Sequence, residues 1–400
     1  MISRPPTYPY PPAIVHPWSY YSCGLRGNGL PVSATLTTAA VGYLWPLRMN
    51  EPFVVAKAFW ANGATVGTDS IDMGVYQMTD QVTGRVDLIR STGLVLSAGV
   101  SIVQAVSTWR VAANAAAIAD ARDSTDSTTY TTASVTLKAG RLYLLSFVNT
   151  AADAAAISSI AGGPTWTSRA TTQYNGTAHR VSLWSGVPTA DYTGTIVVTF
   201  GATQTAGRWA LNEFSGVNTA TTDGVVQTAT GTGNSTTPLA TLAAFGSANN
   251  ATFGANANTA DSTTTPGAGF TELSDLSTSS SPAAFLQTQW RVDNDTTSDG
   301  TITSGQWGAI AAELKADASP FVIPPSPAGI APDIYMSLAI SGTTATILNL
   351  ITDTHFAASA GILRITATGG QLPTTATAAN PGATQRSMIM CGFSSRTVLD

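Results

Sequence analysis

The chain has 400 residues, enough for two or three domains and a sizeable core. Only 10% of them are charged, against about 25% in an ordinary soluble domain. With a net charge of −5, no Lys/Arg run and lysine only at Lys57, Lys138 and Lys315, a general nucleic-acid binder is excluded.

Solubility therefore rests on Thr, Ser, Asn and Gly. Hydroxyl and amide side chains compete for the backbone, and glycine is entropically costly, so this mix disfavours helices. It suits short strands joined by turns.

Residues 1–31 read as an extended arm. Pro5, Pro6, Pro9, Pro11, Pro12 and Pro17 forbid a helix and favour polyproline II. Tyr8, Tyr10, Trp18, Tyr20 and Tyr21 are interleaved with them, more aromatics than a disordered linker carries. The arm is expected to dock, either on its own domain or on a neighbouring subunit.

From residue 32 the pattern is β. "VSATLTT", "LWPLRMN", "FVVAKAFWAN" with a turn at Asn62-Gly63, "SIDMGVYQMT", "GLVLSAG" and "SIVQAVSTWRVA" give a first group of strands. Residues 112–133, "AANAAAIADARDSTDSTTYTTA", read as a junction whose Ala-rich start suits a turn or two of helix. A second β set follows from Ser134 to Ala316, punctuated by Asn175-Gly176, Asp223-Gly224 and Asp299-Gly300. Its eight or more strands suffice for one closed sandwich. After the proline-rich bridge 319–332 come "DIYMSLAIS", "ATILNL", "GILRITAT" and "RSMIMCGFS".

Neither the strands before 112 nor those after 332 suffice for a sandwich alone. The expected fold is all-β: two jelly-roll-like β-sandwiches, the second inserted into the first. The boundaries are 1–31 for the arm, 32–111 with 319–400 for the outer sandwich, and 112–318 for the insert. Charge divides at the same places. Residues 112–318 carry 8 Lys/Arg against 15 Asp/Glu, net −7, and the rest 10 against 8, net +2.

"LWPLRMNEPFVVAKAFWANGATVGTDSIDMGVYQ", "APDIYMSLAIS" and "MIMCGFSSRTVL" resemble the jelly-roll modules of tailed-phage structural proteins. "TLKAGRLYLLSFVNT", "GGPTWTSRATT", "HRVSLWSGV", "TGTIVVTF", "GRWALNEFSGV" and "WGAIAAELKA" are similar to another phage-associated sandwich. The resemblance covers most of the chain after residue 32. It implies a virion component in a tail fibre, tail tip or head decoration, with other virion proteins and further copies of itself, as a trimer or ring, for partners. A host cell-surface glycan is a further partner in that reading. No signal peptide is legible, and no stretch approaches the ~18 apolar residues of a membrane span. Assembly in host cytoplasm without membrane insertion is expected.

The sequence assigns no catalytic, cofactor-binding or metal-binding residue. His16, His179 and His355 lack the spacing of a zinc site. Asp293, Asp295 and Asp299 gather in one loop, as a calcium site or a solvated turn. Glu213 and Glu313, each on the same strand face as a Trp (Trp209, Trp307), are the pair a glycosidase would need; ion pairs to Arg208 or Arg180 are the plainer reading. Trp109, Trp166, Trp184, Trp209, Trp290 and Trp307 either stack on sugars or fill the core. Cys23 and Cys391 are either a disulfide or buried thiols.

Overall fold

The computed structural model describes residues 109–317 except 115, 221–223, 261–262, 277–282 and 293–294, and residues 70–96 except 81 and 94. Elsewhere it describes only residues 372–374 and the strands named in the next paragraph. The described residues are all-β, with no helix among them. Residues 1–19 of the arm, including Tyr8, Tyr10 and Trp18, lie outside the described residues, as do Asn62-Gly63, His16, His355 and Cys23.

Outside 109–317, the sheets join strands from early in the chain to strands from its end. One sheet runs Leu363–Thr366, Val41–Leu47, Ile334–Ile340, Ser70–Asp80, Arg85–Ser91, Thr375–Thr377, with Val95–Leu96 also on Ser70–Asp80. A second runs Tyr20–Ser22, Cys391–Ser394, Lys57–Ala61, Val103–Val106. The backbone of Tyr20 and Tyr21 is thus paired with Ser394 and Phe393. Val32–Thr35 pairs Thr346–Ile351, which pairs Met388–Ile389, and Phe53–Val55 pairs Phe321–Ile323. Leu44, Tyr76, Val86, Leu88, Tyr335 and Leu372 form the buried core here.

Residues 119–314 hold eighteen strands. The first ten are β1 (Ala119–Asp123), β2 (Ser127–Thr131), β3 (Val135–Leu137), β4 (Leu142–Thr150), β5 (Ile157–Ala161), β6 (Thr167–Tyr174), β7 (His179–Gly186), β8 (Tyr192–Gly194), β9 (Val197–Gln204) and β10 (Ala206–Ser215). The other eight are β11 (Val225–Ser235), β12 (Leu239–Thr241), β13 (Ala251–Asn258), β14 (Thr265–Pro266), β15 (Thr271–Leu276), β16 (Phe285–Arg291), β17 (Thr297–Thr301) and β18 (Gly305–Leu314). The Ala-rich start expected as a helical turn is instead extended: Ala112–Ala113 and β1 both pair with β10.

The region expected as one sandwich resolves into two of the same order. β1-β10-β4-β7-β6, with Ala112–Ala113 also on the outer side of β10, forms one six-stranded sheet, and β11-β18-β13-β16-β15 forms a five-stranded sheet of the same order. A small sheet lies against each: β2-β9-β5 with β3-β8 beside it, and β12-β17-β14. The result is four layers. Leu142, Leu144, Val148, Phe214, Phe253, Ile310 and Leu314 pack between the two large sheets. Tyr143, Leu145, Phe147, Trp209 and Leu211 face the first small sheet, and Trp307, Ala309 and Ala311 the second. Because both faces of each large sheet are covered, their central strands are buried at every position, or nearly so, and lose the polar alternation of a half-exposed strand.

The two halves are related by a local two-fold. β6 packs over β11 and β18, and β15 over β1 and β10. Ser274 donates to Asp120 Oδ2 at 2.7 Å, while Thr228 donates to the Arg169 carbonyl at 3.1 Å, the same element pair seen from each side. Val217 bridges Ala316, with Asn218 N–H on Lys315 O and Asp317 N–H on Gly216 O, both 2.8 Å. Such reciprocal contact is the signature of an isologous interface, here inside one chain.

Candidate functional site: a polar junction around Glu213

Glu213 sits near the end of β10, one pair in from the sheet margin and opposite Tyr143. Its side chain is buried on the face that meets the first small sheet. A turn at Lys138–Arg141, with Gly140 in the left-handed region, brings Arg141 alongside. Arg141 Nη1 lies 3.2 Å from Glu213 Oε1, and the Tyr143 hydroxyl donates to Oε2 at 2.6 Å. Burial first, and the Glu213 charge second, push the Tyr143 hydroxyl far above its ordinary pKa, so it remains a donor.

The same guanidinium reaches out of the insert. It donates to Leu88 O at 2.5 Å and to Thr374 O at 3.3 Å. Arg90 pairs with Asp317 at 2.7 Å, and Thr374 N–H bonds Ala113 O at 3.2 Å. Segments 85–91, 138–143, 213–217 and 372–377 therefore meet at one point. Lys138 pairs with Asp191 at 2.9 Å at its rim; the Ala139 N–H and then Lys138 hold the Asp191 carboxyl below its usual range. Between these walls lies a polar cleft of about 480 Å³, lined among others by Gln77, Asp87, Arg90, Lys138, Arg141 and Ser215. Asp87 Oδ2, Arg90 Nε and Ser215 Oγ are buried there without a hydrogen-bond partner among the described residues.

The other candidates fall elsewhere. Glu313 occupies in β18 the position of Glu213 in β10, opposite Thr252. Its oxygens accept from Asn250 Nδ2 at 2.5 Å and Gln227 Nε2 at 2.7 Å. Glu213 and Glu313 point outward from the two large sheets, away from the apolar layer between them. They do not converge on a common cleft, so the structure does not form the paired carboxylates a glycosidase needs. Nor do Arg208 or Arg180 neutralise Glu213: Arg141 does, from 72 residues away.

Trp109, Trp166, Trp209, Trp290 and Trp307 are core residues and Trp184 is half-buried, so these six form no sugar platform. Trp209 stacks on Phe147 at 5.7 Å, and the indoles of Trp166 and Trp307 donate to Gly162 O and Ser235 Oγ. Asp295 pairs with Arg291 at 2.9 Å and accepts from Thr297 N–H. Asp293 lies outside the described residues, among which no cluster of metal ligands occurs. Asp299-Gly300 is not a turn; it lies within β17, paired to Leu239 and Pro266. Buried His179 joins the two halves, with Nε2 2.9 Å from Ala283 O.

Sequence reasoning passed over Arg141, Tyr143 and Asp72. Asp72 is wholly buried and accepts from Ser91 Oγ at 2.6 Å and Leu372 N–H at 2.8 Å. The available signal was a carboxylate in an otherwise apolar strand, "SIDMGVY". No family model, curated protein or solved structure matches the chain.

Proposed function

We propose that the chain is a non-enzymatic structural component of a tailed-phage virion, tail-associated as a fibre, tail-tip or minor tail protein, that works through subunit assembly. The observation that carries this reading is the junction at Arg141. One guanidinium ties a buried carboxylate of the insert to two main-chain carbonyls outside it, Leu88 O in strand Arg85–Ser91 and Thr374 O just before strand Thr375–Thr377. Such a seat suits a rigid projecting module, and the carboxylates that might have done chemistry are consumed in holding it together. The jelly-roll character and the division into arm (1–31), outer sandwich (32–111 with 319–400) and insert (112–318) belong to the same reading. Pairing of early with late strands supports the discontinuous outer sandwich of that division.

Immunogold electron microscopy of purified particles, with an antibody against residues 134–316, tests it. Gold on the tail is the expected result. Gold over the head would make it a decoration or head-fibre protein instead. No label on any particle, with the protein free in lysate, would overturn the virion reading.

One observation favours a second reading, a glycan-binding receptor module. The junction cleft is lined by Asp87, Arg90 and Ser215, polar side chains each with an atom that has no hydrogen-bond partner among the described residues, the kind of group a polar sugar ligand would engage. Loss of glycan-array binding on Asp87→Asn, with Trp184→Ala silent, would support it.

A further inference from the structure

We propose that the free edge of β11, Val225–Ser235, is a pairing surface at which two copies of this chain join antiparallel, extending the large sheet of one into that of the other. β11 is eleven residues long and pairs along one side only, with β18, from Val225↔Leu314 to Ser235↔Gly305. No strand lies on its other side among the described residues. Every second residue of an edge strand turns its N–H and C=O outward, a template for another strand.

Proteins ordinarily block such an edge with charge, proline or brevity. β11 reads Val-Val-Gln-Thr-Ala-Thr-Gly-Thr-Gly-Asn-Ser, long and without charge or proline; its register shift lies at its start, between Val225 and Gln227, and the pairing is regular from Gln227 to Ser235. The other half of the insert provides an internal control. Its equivalent edge, β1, has five residues, and three of them are charged: Asp120, Arg122 and Asp123. One fold position thus appears twice in one molecule, blocked in one half and open in the other. Val226 and Leu239, two of the four exposed large hydrophobics among the described residues, stand on β11 and on the next strand.

A second copy fits this edge best. Antiparallel pairing of identical strands about a two-fold is self-complementary. The insert carries a net −7, so copies meet without like-charge repulsion only along a neutral strip, and β11 is one. The two halves already meet by the same device at residues 216–218 and 315–317. An axis at Thr230 sets Thr228 opposite Thr232 and Val226 opposite Asn234, uncharged pairs throughout.

The inference does not rest on the virion reading, since it holds or fails with the purified full chain. Sedimentation velocity over a concentration series should show a reversible dimer. Thr230→Lys, at an exposed position, sets like charges across the axis and should weaken association at least about tenfold. Val82→Lys, on a fully exposed turn, should leave it unchanged. Circular dichroism of the Thr230→Lys chain should match the parent, so that loss of the dimer is not loss of the fold. A monomeric parent chain at every concentration, or a dimer indifferent to Thr230→Lys, would overturn the proposal. So would amides of 226–234 that exchange equally fast in dilute and concentrated samples.

Discussion

Glu213 and Glu313 stand at the same place in the two halves of the insert, each one pair in from its sheet margin, yet they face opposite ways and keep different company. Glu213 answers a guanidinium and a phenol; Glu313 answers two side-chain amides. Removing Glu213 strands the buried Arg141 charge, so Glu213→Ala should cost about 3–5 kcal/mol. Glu313→Gln keeps one carbonyl acceptor and loses neutral partners only, which should cost about 1–2 kcal/mol. Urea denaturation measures both. A Glu213→Ala chain as stable as the Glu313→Gln chain would mean that Arg141 finds another acceptor.

Asp72 gives stability a dependence on pH. Burial raises its pKa to about 7 from 3.8, against the opposing pull of its bonds to Leu372, Ser91 and Thr92. Between those values the folded chain holds a proton that the unfolded chain has released. The contribution is therefore full below pH ~4 and is lost as pH rises through about 7, on the order of 4 kcal/mol in all. Asp72→Asn should flatten that slope. Denaturant melts at half-unit pH steps, parent against variant, check it; parallel curves would place the proton elsewhere.

Much of the strand content was legible, because alternation and turn pairs are local. Asn175-Gly176 does form its turn, with both residues left-handed. The duplication was hidden by register. Each half closes with Gly-x-Trp, but Trp209 lies opposite Phe147 and Trp307 opposite Asn258, two pairs further from the shared glutamate position. The Trp-to-Glu spacing therefore differs between halves, and a one-line comparison finds no repeat. The Arg141–Glu213 pair was illegible for another reason: cross-strand neighbours are set by sheet order, which sequence proximity does not encode. Asp299-Gly300 misled because a turn dipeptide also fits a strand where glycine admits a close neighbour, here Thr264.

His179 should act in the opposite sense to Asp72. Burial lowers its pKa, and its bond to Ala283 O offsets this only in part. The unfolded chain takes up a proton first as pH falls below about 6.5, so stability is lost on acidification. His179→Gln should remove that loss while leaving the Asp72 slope intact. Hydrogen exchange can separate the two groups, since acid should loosen peptides around 175–186 and 283–291 first. Acid opening that began at 70–93 would contradict this assignment.

Tyr174 and Gly308 make the sharpest packing test, because they meet between the two large sheets. Tyr174 is buried against His179, with ring centroids 5.1 Å apart, and its Cδ1 would lie 2.6 Å from a Cβ added at Gly308. A ring wedged between sheets cannot retreat far, so Gly308→Ala should cost about 1–3 kcal/mol through overpacking. Tyr174→Leu in the Gly308→Ala background relieves the clash and should recover part of that loss. A double-mutant cycle in urea reads the coupling. Additive effects would mean that the sheets shift apart to admit the methyl group and that the face between the halves is softer than its packing implies.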